Sequence, residues 1–140
     1  MNDPFDLQRF VDAQQDVYEQ ALQELRAGRK RTHWMWFIFP QLSGLGRSAM
    51  AQRYAISGRD EALAYLQHAL LGPRLQACTE AMLAHAGSAL QILGRPDDLK
   101  FHSCMTLFAC IAPDPALFDK ALEVFFRGQP DPASLEQLKA

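Results

Sequence analysis

The sequence predicts an all-α protein, and three features indicate this fold class. Pairs of aspartate and proline, a good N-cap followed by a residue suited to the first helical turn, occur at Asp3-Pro4, Asp114-Pro115 and Asp131-Pro132. Glycines also stand where C-terminal helix caps fall, at Gly28, Gly87 and Gly128. No stretch shows the regular alternation of apolar and polar residues that strands require.

The first helical stretch spans residues 4–27, where apolar residues recur on one stripe. Gln14 interrupts that stripe. Two alternatives remain open: two helices with a break, or one helix with a polar residue facing inward.

Two shorter helices are expected in the middle of the chain. The first lies within residues 47–55 and is predicted to turn Met50 and Tyr54 inward. The second follows Ser57, a plausible cap because acidic residues stand three and four positions later, and ends near His68.

The C-terminal half is predicted to contain five helices, over residues 73–86, 88–93, 97–111, 115–127 and 132–139. The helix over 97–111 is unusual because its second half carries no charge and Thr106 as its single hydroxyl. A helix that is apolar on all sides lies in the centre of a fold. The prediction is therefore one multi-helix domain over residues 1–140 with a central apolar helix.

The composition is that of an ordinary globular protein of 140 residues. Hydrophobic residues make up 49% and charged residues 21%, so a core can form without disulfides or metal, and intrinsic disorder is excluded. The longest apolar run, Trp34 to Pro40, is far shorter than the roughly 20 residues that a membrane-spanning helix needs. We therefore expect no membrane association.

The cysteines point to a reducing environment. Cys78, Cys104 and Cys110 are odd in number and have apolar neighbours, which indicates buried free thiols. No spacing of cysteine and histidine resembles a zinc site. The N-terminus lacks the basic and apolar segments of a signal peptide. These features predict a cytoplasmic protein with no metal and no cofactor.

The charges are unevenly distributed. Residues 26–59 contain seven basic residues and no acidic one, so this window carries +7. The whole chain carries −2, and the remainder therefore carries −9. Such asymmetry suggests an anionic partner or a contact between two parts of the fold. Nucleic acid is an unfavoured partner because the net charge is negative and no known nucleic-acid module is present.

The positive window contains the most informative stretch, residues 28–48, which we call the aromatic–basic segment. It begins with a basic cluster, continues through His33-Trp34-Met35-Trp36 into an apolar run that ends at Pro40, and is expected to form a short helix or extended turn entering the core. Aromatic rings beside cations can stack a base or hold a phosphate. The alternative is a core anchor whose flanking charges stay in water.

Two further features of the segment allow the same pair of interpretations. The turn Gly44-Leu45-Gly46 before Arg47 and Ser48 could offer backbone N–H groups to an anion, or could be an ordinary glycine turn before a helix. His33 is a candidate base toward an anionic substrate, or a structural hydrogen-bonding residue.

The start of the central helix is the second candidate region. Asp97 is explained by the helix dipole, whereas Asp98, Lys100, His102 and Ser103 could line a pocket at the mouth of a buried helix. The alternative is that these residues only form an ion pair and cap the start of the helix.

The residues that carry a family resemblance lie in these two regions. They are Gly28, Lys30, His33 through Gln41, Gly44-Leu45-Gly46, Ser48, Asp98-Leu99-Lys100, Ser103 and Met105 through Phe108. With this set the chain resembles the bacterial domain-of-unknown-function family eighteen-ten. The resemblance implies a small cytoplasmic all-helical domain without an established activity. Family members carry arginine or another polar residue where His102 stands, so the resemblance argues against His102 as a catalytic group.

If the two regions meet, they would form an aromatic-floored, basic pocket that suits a small anionic ligand such as a nucleotide or phosphate-like molecule. The predicted ligand-binding residues are Lys30, Trp34, Trp36, Gln41, Arg47, Ser48 and Lys100. A hydrolase or transferase reaction is a further hypothesis, with His33, Asp98 and Ser103 as candidate catalytic residues.

Two other functions stay open. One is a non-catalytic interaction module or a homo-oligomer subunit, which an exposed Phe125 or Phe126 would favour. The other is a weak nucleic-acid binder using the positive window.

Overall fold

Ten α-helices make up the computed structural model, which describes residues 3–85 and 87–139. They are α1 (Gln8–Gln14), α2 (Tyr18–Arg26), α3 (Met35–Ile38), α4 (Ala49–Arg53), α5 (Arg59–Gln67), α6 (Leu71–Leu83), α7 (Ala89–Leu93), α8 (Asp97–Ile111), α9 (Ala116–Phe126) and α10 (Pro132–Lys139). The all-α fold is confirmed. The predicted helix end at Ala86 and the predicted domain ends at residues 1, 2 and 140 lie outside the described residues. None of the ten helices is both long and apolar enough to cross a membrane.

The break between α1 and α2 combines the two alternatives that the sequence left open. The first helix ends at Gln14 and the second begins at Tyr18, which is the predicted break. Gln14 also faces inward, as the other alternative required. Its amide donates to the Phe37 carbonyl at 2.7 Å and accepts from Arg74 at 3.3 Å. A buried amide is tolerated when its donors and acceptors are paired, so Gln14 ties α1 to α3 and α6.

Two helices begin at positions other than those predicted, because their capping groups bond N–H groups other than the ones that the sequence pattern indicates. Asp3 accepts from the Leu7 and Gln8 N–H groups, which delays the start of α1 to Gln8. The α6 helix begins before Pro73, because the ring of His68 accepts from the N–H groups at its start. The predicted cap at Ser88 is confirmed as a capping box with Gln91.

The central position of α8 is confirmed. Phe101, Cys104, Met105, Leu107 and Phe108 have no exposed surface, and α8 packs against α5, α7, α9 and α10. The apolar environment does not extend along the whole helix, however, because Leu99 is 50% exposed and the last turn reaches the surface.

Two predictions of burial were wrong. Cys110, in the last turn of α8, is exposed, whereas Cys78 and Cys104 are buried free thiols as predicted. Burial raises the pKa of Cys78 to about 12, so its thiol stays protonated and unreactive. Met50 lies on the outward face of α4 and is 36% exposed, while Tyr54 is buried as predicted.

The aromatic–basic segment enters the core as a short helix that ends before Pro40. Phe37, Ile38 and Phe39 are buried, and the chain then pairs Leu42 with Ile56 in an isolated parallel bridge. Backbone hydrogen bonds from Ser43 to Ile56 at 2.8 Å and from Ile56 to Gln41 at 2.9 Å fix this pairing. The bridge sets the position of residues 41–46 beside the start of α8.

Candidate functional site at the start of the central helix

The two predicted regions meet at Asp97, the first residue of α8. Its carboxylate lies 2.9 Å from the Lys30 ammonium and 3.7 Å from the Lys100 ammonium. The Lys30 side chain is only 9% exposed, whereas that of Lys100 is 24% exposed. The Lys30 ammonium is therefore held in a nearly buried ion pair, whereas the Lys100 side chain is accessible to solvent.

The two tryptophans differ in their surroundings. Trp34 is fully buried and donates its indole N–H to Glu24 at 3.0 Å. Trp36 is half-buried, and the Lys100 ammonium lies 5.3 Å from its ring centroid, within cation–π range. Trp34 thus supports the segment from within, and Trp36 is the aromatic ring that solvent reaches.

Glu24 of α2 anchors the segment, although the sequence analysis did not single it out. Its carboxylate accepts from the Arg31 and Thr32 N–H groups at 2.7 and 2.9 Å, and from the Thr32 hydroxyl at 2.6 Å. The Trp34 indole and the Gln20 amide add two more hydrogen bonds. Burial alone would raise the pKa of Glu24, but these hydrogen bonds outweigh it and lower the pKa to about 2.

A cleft of about 340 Å³ lies beside this contact, between α8, the start of α10 and residues 41–46. Its polar lining consists of Gln41, Lys100, His102, Ser103 and Asp131, and the rest of its wall is apolar or glycine. A slot beside Trp36, with room for one water molecule at about 10 Å³, shares Gln41 and Lys100 with the cleft. The cleft volume of about 340 Å³ falls near the lower end of the range typical of small-molecule sites, roughly 300–1,000 Å³.

Gln41 and Lys100 are the predicted residues that reach both spaces. Within residues 3–85 and 87–139, hydrogen bonds use the Gln41 backbone but leave its side-chain amide without a protein partner. A bound molecule could therefore pair with this amide as both donor and acceptor.

Ser103 is engaged in docking α10. Its hydroxyl donates to Asp131 Oδ2 at 2.8 Å, and the same oxygen accepts from the Ser134 hydroxyl at 2.7 Å and the Ser134 N–H at 3.2 Å. Burial raises the pKa of Asp131, but the bonds from Ser134 and Ser103 outweigh it and hold the pKa below its ordinary value. The predicted cap at Asp131-Pro132 thus also connects α10 to α8.

Removing the Ser103 hydroxyl is expected to weaken this connection. We expect Ser103→Ala to lower the free energy of unfolding by about 1–2 kcal/mol, because a partly buried carboxylate loses one of its donors. Urea denaturation followed by circular dichroism measures the change. Ser57→Ala is the control, because Ser57 is exposed and bonds Glu61 through its backbone N–H. Equal midpoints for both variants would contradict the docking role.

The other predicted catalytic residues lie apart from this network. His33 is exposed on the loop before α3. Asp98 is buried, pairs with Arg95 at 3.1 Å, and has no described partner for its second oxygen. No hydrogen bond among the described residues joins any two of His33, Asp98 and Ser103.

The glycine turn has a packing explanation. Gly44 has a φ of +93°, and a Cβ there would lie 1.9 Å from the Gln137 amide. A Cβ on Gly46 would lie 2.5 Å from that of Ala51. Ser48 caps α4 by accepting from Ala51, and Arg47 is exposed. The two glycines therefore leave room beside the turn for the Gln137 side chain of α10 and for Ala51 of α4.

A larger hollow of about 640 Å³ lies between α5, α6 and α9 and contains none of the predicted site residues. It carries His68, Glu80 and Asp114, but the His68 ring already caps α6. Within the described part of the chain, no group of three or more histidine, cysteine, aspartate or glutamate residues is placed to hold a metal ion.

Comparison with known proteins gives a family and a structural relative. No curated protein sequence matches the chain. A solved structure, that of the conserved hypothetical protein Rv1873 from Mycobacterium tuberculosis, is 52% identical and has a TM-score of 0.96, with 99% of each chain covered. The family described as "Protein of unknown function (DUF1810)" matches residues 4–138. The chain therefore belongs to this family.

Proposed function

We propose that the protein binds a small anionic ligand, nucleotide- or phosphate-like, in the cleft between α8, α10 and residues 41–46. The observation that carries the proposal is the position of Lys100. Its ammonium lies over the Trp36 ring and is loosely paired with Asp97 at 3.7 Å, and the Lys100 side chain lines both the cleft and the slot beside Trp36.

The charge around Lys100 supports an anionic ligand. Lys30 and Lys100 share the single carboxylate of Asp97, and Arg95 pairs with Asp98. These five charges sum to +1, and the carboxylate of Asp131 at the other end of the cleft brings the total to zero. The positive charge is therefore local to the Lys100 end, and Lys100 is the lysine of this group that lines the cleft. An anion that displaces water from the Lys100 ammonium gains a charge-assisted hydrogen bond.

The proposal concerns binding and assigns no reaction. The Ser103 hydroxyl and the Asp131 carboxylate at the cleft resemble a nucleophile with its base, but Asp131 Oδ2 already accepts three hydrogen bonds. A carboxylate with a lowered pKa is a weak base. A hydrolase or transferase activity would need a base supplied from elsewhere.

Isothermal titration with inorganic phosphate and AMP tests the proposal. We expect Lys100→Met to weaken the binding of these anions at least tenfold, or about 1.4 kcal/mol, because the cation is lost while the apolar stem is kept. Lys120→Met is the matched control, because Lys120 is exposed on α9 away from the cleft. Absence of binding to the wild-type protein, or equal binding by both variants, would overturn the proposal.

A further inference from the structure

The Asp131 carboxylate, which lines the cleft together with Lys100, suggests which anions the cleft binds. Asp131 Oδ2 is occupied by Ser103 and Ser134, whereas Oδ1 accepts no hydrogen bond from the described residues. Asp131 nevertheless lines the cleft. A carboxylate oxygen in this position can accept hydrogen bonds from a bound molecule.

His102 lies at the same end, and its ring is held in place. Its Nε2 lies 2.7 Å from the Gln129 carbonyl, and the ring is stacked on Phe126 with centroids 3.9 Å apart. A carbonyl only accepts, so Nε2 carries a proton and donates it. Gln129 and Phe126 thus fix the orientation of a ring that lines the cleft.

The cleft therefore has two chemically different ends. Lys100 and Ser103 lie three residues apart, one turn along the same face of α8. The Lys100 end offers a cation, and the end next to Ser103 offers Oδ1 of Asp131 as an acceptor. An anionic group is attracted to the first end and repelled by the carboxylate at the second.

We infer that the ligand is a hydroxylated phosphate monoester, such as a sugar phosphate or a nucleoside monophosphate, with its phosphate on Lys100 and a hydroxyl donating to Asp131. This inference rests on the proposed function and narrows it to one ligand class. Carboxylates bind ribose hydroxyls in the same way at dinucleotide sites. The volume of about 340 Å³ fits a ligand with one phosphate and one sugar rather than a dinucleotide.

The test compares propyl phosphate with glycerol 3-phosphate by isothermal titration at constant ionic strength. The two compounds share a three-carbon skeleton and a phosphate, and they differ by two hydroxyl groups. We expect the wild-type protein to bind glycerol 3-phosphate at least tenfold more tightly. Asp131→Asn, which keeps a good N-cap for α10, is expected to reduce this preference to less than twofold. Ribose 5-phosphate and AMP then show whether a sugar alone or a nucleoside binds best.

The outcomes separate this inference from the proposed function. Equal binding of both compounds by the wild-type protein, with a loss in Lys100→Met, would overturn the hydroxylated ligand class and leave the anion site standing. A preference that persists in Asp131→Asn would overturn the role of Asp131. Binding of neither compound nor of inorganic phosphate would overturn the proposed function itself. The wild-type comparison does not depend on how well either variant folds.

Discussion

Replacing Glu24 with alanine is expected to lower the free energy of unfolding by about 3–5 kcal/mol, because several donors lose their shared acceptor at once. Glu24 is 4% exposed, and its carboxylate accepts five hydrogen bonds, three of them from the loop residues Arg31 and Thr32. Alanine leaves the buried Trp34 indole N–H without its partner, and an orphaned buried donor is costly. The loop that presents Lys30 to Asp97 would lose its anchor at the same time.

Urea denaturation of Glu24→Ala beside Glu19→Ala measures the effect. Glu19 lies on the exposed face of the same helix, so its removal is expected to change stability by no more than about 0.5 kcal/mol. Nearly equal midpoints for the two variants would show that the carboxylate does not anchor the loop.

The acid dependence of stability provides an independent test of Glu24. Its pKa is lowered from 4.5 to about 2 in the fold, so the folded state binds the proton less readily than the unfolded chain. The resulting stabilisation is fully present above pH 4.5 and is lost as the pH falls toward 2. It amounts to about 3 kcal/mol. Glu24→Gln keeps the shape and removes the titration, so its stability should fall less steeply between pH 4.5 and pH 2. A slope equal to that of the wild-type protein would contradict this role.

The sequence predicts the helices well where their signals are local. The central helix is confirmed with its predicted bounds because a charge-free run of this length has to be buried, and a proline sets where it starts. The capping box at Ser88 is likewise complete within four residues. The local pattern fails at the start of α6, because it marks His68 as the end of one helix, whereas the His68 ring caps the next helix.

The contacts that form the candidate site are not predicted by local sequence patterns either. Asp97 was explained by the helix dipole, and its contact with Lys30 is formed by residues far apart in the chain. Glu24 stands on α2 outside the recognised motif, and nothing local shows that its carboxylate faces the loop. Asp131 was identified as a cap, but its second role depends on how α10 lies against Ser103. Residue type indicates which chemistry is possible, and only tertiary packing determines which groups meet.

An exposed Phe125 or Phe126 in α9 would favour the interaction-module hypothesis, but neither ring is fully exposed. Phe125 and Phe126 are half-buried, and their rings lie 5.7 and 6.1 Å from that of Phe101. They pack against the central helix. Phe39 of the aromatic–basic segment packs against the same ring, at 4.9 Å and 78°.

Phe101→Ala is accordingly expected to be among the most destabilising single changes, at about 3–5 kcal/mol. The ring has no exposed surface and makes edge-to-face contacts with both Phe39 and Phe125. Its removal leaves a cavity between the aromatic–basic segment and α9, and it also removes the aromatic contacts with Phe39 and Phe125. Urea or thermal denaturation should show an unfolding midpoint far below that of the wild-type protein.

Two companion variants distinguish this cavity from a general sensitivity of α8. Phe101→Leu keeps most of the apolar volume and is expected to cost about 1–2 kcal/mol. Leu99→Ala shortens a side chain that is 50% exposed on the same helix, so its cost should stay below about 1 kcal/mol. If Leu99→Ala were as damaging as Phe101→Ala, α8 would be equally sensitive at exposed and buried positions, and the packing of Phe101 between the aromatic–basic segment and α9 would not explain the loss. If the Phe101 ring joins the aromatic–basic segment to α9, Phe101→Ala will lower the free energy of unfolding more than Phe101→Leu or Leu99→Ala.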